Sequence, residues 1–125
     1  MTAQKEVLFF QTDWGFEDGT EVFIIKAKAS GYDGIETWAP IDRYKQIQVL
    51  KLLKEHSMKV IFLCGSNPSL TFKKSLDEYE KYLKNTLELK PIAVNSHTGS
   101  DFYNFNQNMA FLKLADKLSN KYKIP

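Results

Sequence analysis

The sequence predicts an α/β protein in which four parallel strands alternate with four helices, a (βα)4 unit. Apolar runs typical of strands begin near residues 7, 34, 59 and 91, and each is followed by a stretch with helical spacing of apolar residues. Alternation with short connections indicates a parallel sheet with right-handed crossovers. A further apolar run is only starting at Ile124 and Pro125. It has the position of a truncated fifth strand.

Composition limits the class of protein. The chain has 125 residues, of which 43% are hydrophobic and 14% aromatic, so we expect one folded domain over residues 1–125. Its net charge of +2 comes from interspersed charges of both signs, which does not support nucleic-acid binding. Cys64 is the sole cysteine and cannot form an intrachain disulfide. No signal peptide or membrane span is predicted, so we expect a cytoplasmic protein without a membrane partner.

The first two units are predicted from apolar runs and turn residues. A strand is expected over Val7–Thr12, then a helix capped at Thr20 and ended by Gly31. The second strand spans Tyr32–Trp38, and Pro40 with Asp42 opens the second helix. The residues expected on the buried sides of these two helices are Val22, Phe23, Ile25, Ala27, Ala29, Ile47, Val49, Leu50, Leu52 and Leu53.

The last two units follow the same pattern. Strands are predicted over Lys59–Cys64 and Pro91–Asn95, and helices over Phe72–Leu87 and Phe105–Tyr122. An extended polar loop, Ser96–Asn104, separates the fourth strand from the last helix. The residues expected to face inward on these helices are Leu76, Tyr79, Leu83, Leu87, Met109, Leu112, Ala115 and Leu118.

Two architectures fit this order of elements: a flavodoxin-like or receiver-like domain, and the first half of a TIM (βα)8 barrel. In both, the functional site lies where the strands end, and the polar, glycine-containing loops of this chain all follow strands. The flavodoxin-like alternative lacks its expected chemistry. Bulky residues, Trp14 and Phe16, occupy the loop where a phosphate-binding turn needs small ones, and Cys64 stands where a receiver needs an acidic acceptor.

Several motifs resemble one family of barrels. The segment Gly31-Tyr32-Asp33-Gly34-Ile35-Glu36 is similar to the signature that enters the second strand of xylose-isomerase-like barrels, the sugar phosphate isomerase/epimerase family. The strand that starts at Lys59, the segment Asn95–Gly99 and the following Phe102–Gln107 are also similar to members of this family. The resemblance covers the whole chain but only the front half of the family's barrel.

The resemblance implies a metal-dependent reaction in the complete barrel. Family members bind a divalent cation, manganese, magnesium or zinc, and move a proton between adjacent carbons of a sugar. The resemblance places the metal ligands on strands five to eight. We therefore expect this chain to bind no metal alone, to lack a metal site and to be inactive alone.

Six residues at strand ends are candidate site residues. Glu36 and His97 are predicted to be catalytic, since a carboxylate and an imidazole can handle protons or contact sugar hydroxyls. Trp14, Trp38, Asn95 and Asp101 are predicted to bind substrate through aromatic walls or hydrogen bonds. For each, the alternative is an ordinary role in packing, capping or a solvated loop.

Three other residues are weaker candidates. Gln107 is a possible hydrogen-bonding residue, Cys64 is either a nucleophile or a small buried side chain, and His56 is expected to be a helix-terminal cation at the opposite edge.

Three functions remain open from the sequence. The first is the amino-terminal half of a metal-dependent sugar isomerase or epimerase, acting on a small sugar with the missing carboxyl-terminal half. The second is a carbohydrate-binding half barrel that forms a homodimer, because unpaired strand edges favour association. The third is a self-contained flavodoxin-like binding or regulatory domain.

Overall fold

The computed structural model describes residues 5–125, and it contains the predicted order of strands and helices. The elements are β1 (Phe10–Thr12), α1 (Thr20–Ala29), β2 (Gly34–Trp38), α2 (Arg43–Glu55), β3 (Lys59–Gly65), α3 (Phe72–Glu88), β4 (Ala93–His97) and α4 (Phe105–Tyr122). The strands form a four-stranded parallel sheet in the order β1-β2-β3-β4. The predicted (βα)4 unit is confirmed.

The strand order excludes the flavodoxin-like alternative. A flavodoxin-like sheet has the order 2-1-3-4-5, with its first strand inside the sheet. In this chain β1 is at an edge and each strand pairs with the next one along the sequence. Sequential parallel pairing is instead the arrangement of a barrel wall.

All four helices pack on one face of the sheet. The register pairs Ile35 with Val60 and Thr37 with Phe62, so these side chains point the same way. Val60 and Phe62 lie in a core with residues of α1 and α2. Cys64, two residues after Phe62 on the same face, lies in a second core with residues of α3 and α4. The opposite face, which would line the interior of a closed barrel, has no helix on it within residues 5–125.

The buried stripes of three helices differ from the predicted ones. Five residues that were expected to face inward are exposed: Val22, Ile25, Ala29, Ile47 and Leu112. Ile24, Gln46 and Phe111 are buried instead. Apolar residues lie on more than one side of these helices, so hydrophobic spacing alone does not fix their rotation. On α1, the cap is Gly19, and the predicted cap, Thr20, is the first helical residue.

The first and last strands also differ from their predicted bounds. β1 is shorter because pairing starts only where Phe10 meets Gly34, the first residue of β2. Val7 and Phe9 therefore precede the strand and are exposed. β4 begins and ends two residues later than predicted, and its last residues pair with Cys64 and Gly65. His97 is thus a strand residue and not a loop residue.

The last two residues lie beside β4. The amide of Val94 donates to the carbonyl oxygen of Pro125 at 2.8 Å. Ile124 packs against the second core. These residues do not form a strand, so the truncated fifth strand stays a prediction.

In the part of the chain from residue 5 onward, none of the helices is both long and apolar enough to span a membrane.

Candidate functional site

The carboxyl ends of the strands bring four of the six predicted site residues onto one face of the sheet. The register aligns Glu36 with Ile61 and Trp38 with Leu63. It also aligns Leu63 with Asn95. Aligned residues of parallel strands share a face, and so do residues two apart on one strand. The four residues on this face, opposite the helices, are Glu36, Trp38, Asn95 and His97, called the interior-face cluster below.

The burial of Leu63 supports this assignment. Leu63 is only 2% exposed but belongs to neither core on the helix side. Its aligned neighbours are Trp38 on one side and Asn95 on the other. Leu63 is therefore covered by side chains on the interior face and forms an apolar floor for the cluster.

A hydrogen bond joins the carboxylate and the amide of the cluster. Nδ2 of Asn95 donates to Oε1 of Glu36 at 2.8 Å, across the intervening strand β3. Within residues 5–125, the second carboxylate oxygen of Glu36 accepts no hydrogen bond. Glu36 is thus oriented by one oxygen, and its other oxygen can accept a hydrogen bond from a hydroxyl group.

The two rings of the cluster lie side by side. The ring centroids of Trp38 and His97 are 5.6 Å apart, and their planes are inclined by 44°. Trp38 is 46% exposed, so much of the indole surface is open to solvent or a ligand. An exposed indole beside an imidazole offers an apolar wall with a polar edge, which suits a sugar ring.

A cavity of about 520 Å³ adjoins these rings, where the loops after β2 and β3 meet α3. Its lining includes Trp38, His97, Ile41, Tyr79 and Tyr82. The tyrosine hydroxyls are already used in holding the walls. Tyr82 donates to the carbonyl oxygen of Ala39 at 2.7 Å, and Tyr79 bonds to Ser96. Tyr79 was predicted only as a core residue and Tyr82 was not predicted at all, because neither residue follows a strand.

Trp14 and Asp101 lie apart from the interior-face cluster. Trp14 is 70% exposed and lines a separate hollow with Phe16 and Lys26 beside α1. Asp101 is on the loop after β4 and lines another hollow with Phe102 and Asn108. Both residues lie in loops outside the cluster, and their assignment as substrate-binding residues stays a prediction.

Hydrogen bonds between loops hold the edge together, and they were not predicted. Thr37 donates to the carboxylate of Asp13, which ties the loop after β1 to β2. The amide of Gly99 donates to Oγ of Ser66 at 3.1 Å, which joins the loops after β3 and β4. The only sequence signal was the position of Asp13 and Ser66 directly after strands.

The weaker candidates have structural roles. Gln107 forms a capping box with Asn104 at the start of α4, so its side chain is not free for a ligand. Burial raises the pKa of the Cys64 thiol to about 11, which keeps it protonated at neutral pH and argues against a nucleophile. His56 is the C-cap residue of α2, at the edge opposite the site, as predicted.

The residues present do not by themselves fit a divalent cation. A catalytic metal site normally has three protein ligands. Within residues 5–125, no three histidine, cysteine, aspartate or glutamate side chains are grouped as such a site. Glu36 bonds to an amide, and His97 lies against an indole.

Comparison with known proteins supports the fold. No family model matches the chain, and no curated protein does. Among solved structures, the chain is similar to a mutant tryptophan synthase α-subunit from the hyperthermophile Pyrococcus furiosus, with a TM-score of 0.52 and 21% identity over 79% of this chain. The chain spans 37% of that subunit's length. The similarity shows the fold alone: this chain is a parallel (βα)4 unit of the TIM-barrel type.

Proposed function

We propose that the chain forms the amino-terminal half of a sugar isomerase or epimerase barrel of the xylose-isomerase-like kind. The observation that carries the proposal is the interior-face cluster: a carboxylate held by an amide, next to an exposed indole and an imidazole. These four groups lie at the carboxyl ends of the strands, which is where TIM-barrel enzymes have their active sites. The motif Gly31–Glu36, which places Glu36 in the cluster, also carries the resemblance to this family.

Each member of the cluster has a distinct role in this proposal. Trp38 provides the apolar wall for the sugar ring, and the free oxygen of Glu36 accepts a hydrogen bond from a sugar hydroxyl. Asn95 is a positioning residue, because it holds the other oxygen of Glu36. His97, beside the ring wall, accepts or donates a proton at the sugar.

A second half of the barrel completes the site in this proposal. Since residues 5–125 hold no group of three metal ligands, the divalent cation of the complete enzyme is proposed to bind to side chains of that second half. The present chain then contributes substrate contacts and proton handling, and it has no isomerase activity alone.

Tryptophan fluorescence tests the sugar site. The chain has two tryptophans, and the Trp14→Phe variant keeps Trp38 as its only reporter. Titration of this variant with millimolar D-fructose is expected to change its emission by about 10% or more, because a sugar on the exposed indole displaces water. The matched Trp38→Phe variant, which reports only Trp14, is expected to show less than half of that change. A response that follows Trp14 would contradict the proposed site.

A self-paired carbohydrate-binding half barrel is the second candidate. Exposed apolar side chains on the two outer helices favour it, namely Val22 and Ile25 on α1 and Leu112 on α4. The outer edge of β4 argues against this candidate, because the amide of Val94 already donates a hydrogen bond to the carbonyl oxygen of Pro125. A second copy that paired along β4 would have to displace residues 124–125.

Deletion of Ile124 and Pro125 separates the two candidates. If copies pair along β4, the deletion uncovers the amide of Val94 and is expected to raise the dimer fraction several-fold in light scattering. An Ile124→Ala variant controls for the packing that Ile124 contributes to the second core. An unchanged monomer in all three proteins would count against self-pairing.

A further inference from the structure

The cavity beside Trp38 and His97 extends from the interior-face cluster toward α3. Its lining comes from the loop after β2, the start of α2, the end of β3 with the following loop, and α3. Its volume of about 520 Å³ falls within the range of roughly 300–1,000 Å³ that is usual for small-molecule sites. The cavity therefore has room for a chemical group attached to a sugar that lies on Trp38.

The walls of this cavity are apolar where they are buried. The hydroxyl of Tyr82 donates to the carbonyl oxygen of Ala39 at 2.7 Å, and Nε2 of the buried Gln46 donates to the carbonyl oxygen of Pro40 at 2.8 Å. Burial also raises the pKa of Tyr82 to about 12, so its hydroxyl is neutral at physiological pH. These polar groups bond to the protein itself, and what the walls offer to a ligand is aromatic ring surface and the side chain of Ile41.

Charged side chains lie at the outer rim of the cavity, and their signs balance. Glu78, Lys81 and Asn85 line the cavity from α3 and are exposed. Residues three and four apart lie on the same side of a helix, so the carboxylate and the ammonium group are neighbours on this rim. One negative and one positive charge at the rim give it no net charge, which suits an uncharged ligand group.

Gly65 lies where the cluster meets the cavity. It lines the cavity, and the register aligns it with His97 on the neighbouring strand. A Cβ added to Gly65 would lie 3.4 Å from the indole of Trp38 and 2.8 Å from the carbonyl oxygen of His97. A side chain at position 65 would thus fill the space beside the two rings. Glycine leaves this passage from the cluster to the cavity open.

We infer that the cavity takes an uncharged aromatic substituent of the sugar that binds to the interior-face cluster. The inference rests on the proposed function and specifies its substrate class: a sugar with a free carbonyl end, which proton transfer requires, and an aromatic group attached at its other end. The sugar ring lies on Trp38, and the substituent extends past Gly65 to the apolar walls at Ile41 and Tyr82.

Binding of two matched sugar ethers to the full chain tests the inference. The ligands are 6-O-methyl-D-glucose and 6-O-benzyl-D-glucose, which share the free carbonyl end and differ in the aromatic ring. NMR shifts of the Trp38 indole report the cluster, and shifts of the Ile41 methyl groups and the Tyr82 ring report the cavity. We expect the benzyl ether to bind at least about fivefold more tightly, because the cavity removes its ring from water.

The outcomes separate this inference from the proposed function. Equal binding of the two ethers with shifts at the indole of Trp38 would overturn the inference and leave the proposed function intact. Tighter binding of the benzyl ether without shifts at Ile41 and Tyr82 would also overturn the inference alone. Shifts at the cluster with neither ether would contradict both.

D-glucose 6-phosphate tests whether Lys81 selects an anionic group instead. We expect this sugar to bind at least about threefold more weakly than the benzyl ether, since the carboxylate of Glu78 opposes the attraction of Lys81 for a phosphate. Tighter binding of the phosphate than of the benzyl ether would overturn the inference. Loss of that tighter binding in Lys81→Gln would then assign the cavity to an anionic substituent.

A matched pair of isoleucine variants tests the cavity wall. Ile41→Ser removes an apolar side chain that lines the cavity and is 79% exposed, so the fold is expected to tolerate it. We expect the advantage of the benzyl ether over the methyl ether to fall about twofold or more. The control, Ile47→Ser, makes the same change at an exposed position of α2 outside the cavity lining. An equal effect of the two variants would overturn the role of the cavity.

Discussion

Replacement of Phe111 by alanine is expected to lower the free energy of unfolding by about 3–5 kcal/mol. Phe111 is fully buried where α3 and α4 meet the sheet. Its ring centroid lies 5.6 Å from that of Tyr79, 5.9 Å from Tyr103 and 6.0 Å from Phe72. Removal of the ring leaves a cavity among three aromatic side chains, which cannot all move to fill it. Urea unfolding monitored by circular dichroism measures the loss.

Two further variants keep this prediction informative. Phe105→Ala removes the same side chain from the same helix at a position that is 77% exposed, and its effect is expected to stay within about 0.5 kcal/mol. Phe111→Leu retains most of the side-chain volume and is expected to lower the free energy of unfolding by about 1–1.5 kcal/mol. This variant therefore measures the packing at Phe111 even if the alanine variant does not fold. Similar losses for Phe105→Ala and Phe111→Ala would show that the second core is not packed as described.

The strands and helices were predictable because their apolar patterns and the capping residues that bound them are encoded within a few consecutive residues. The strand Lys59–Gly65 is a short apolar run, which is typical of a strand covered on both faces. Asp42 precedes α2, and Asn104 precedes α4 with Gln107 three residues later. These are side-chain caps that act within one turn, so the sequence contains all that they need.

The rotation of the helices and the order of the strands were not predictable in the same way. Val22, Phe23, Ile24 and Ile25 are four consecutive apolar residues, and only packing against the sheet decides that the middle two are buried. Strand order depends on crossovers between elements far apart in sequence. Alternating strands and helices alone are compatible with β1 at the edge or inside the sheet.

Part of the interior-face cluster could be predicted from pairs of candidate residues that are two positions apart in the sequence. Glu36 and Trp38 are two apart on β2, and Asn95 and His97 are two apart on β4, so each pair shares a face. What joins the two pairs is the register of β2, β3 and β4. That register brings Asn95 to Glu36 over 59 residues of sequence, which no local pattern encodes.

The glycine of the motif that resembles the isomerase family has a structural reason. A Cβ added to Gly34 would contact the ring of Phe10 and would lie 2.5 Å from the carbonyl oxygen of Lys59. Gly34→Ala is therefore expected to lower the free energy of unfolding by about 1–3 kcal/mol. Because Gly34 is two residues before Glu36 on the same strand, the variant is also expected to shift the NMR signals of the Asn95 side-chain amide.

The double variant Phe10→Ala with Gly34→Ala shows whether the ring of Phe10 or the carbonyl oxygen of Lys59 excludes a Cβ at position 34. Removal of the ring relieves the contact with Phe10 but leaves the backbone oxygen of Lys59, on the neighbouring strand, in place. Since a main-chain group cannot move without disturbing the pairing of β2 and β3, we expect at most half of the lost stability to return in a double-mutant cycle. Complete recovery would show that the side chain of Phe10 alone excludes a Cβ. The glycine would then serve the packing of β1 on β2 and not the close approach of β2 and β3, the strands that align Glu36 with its partner.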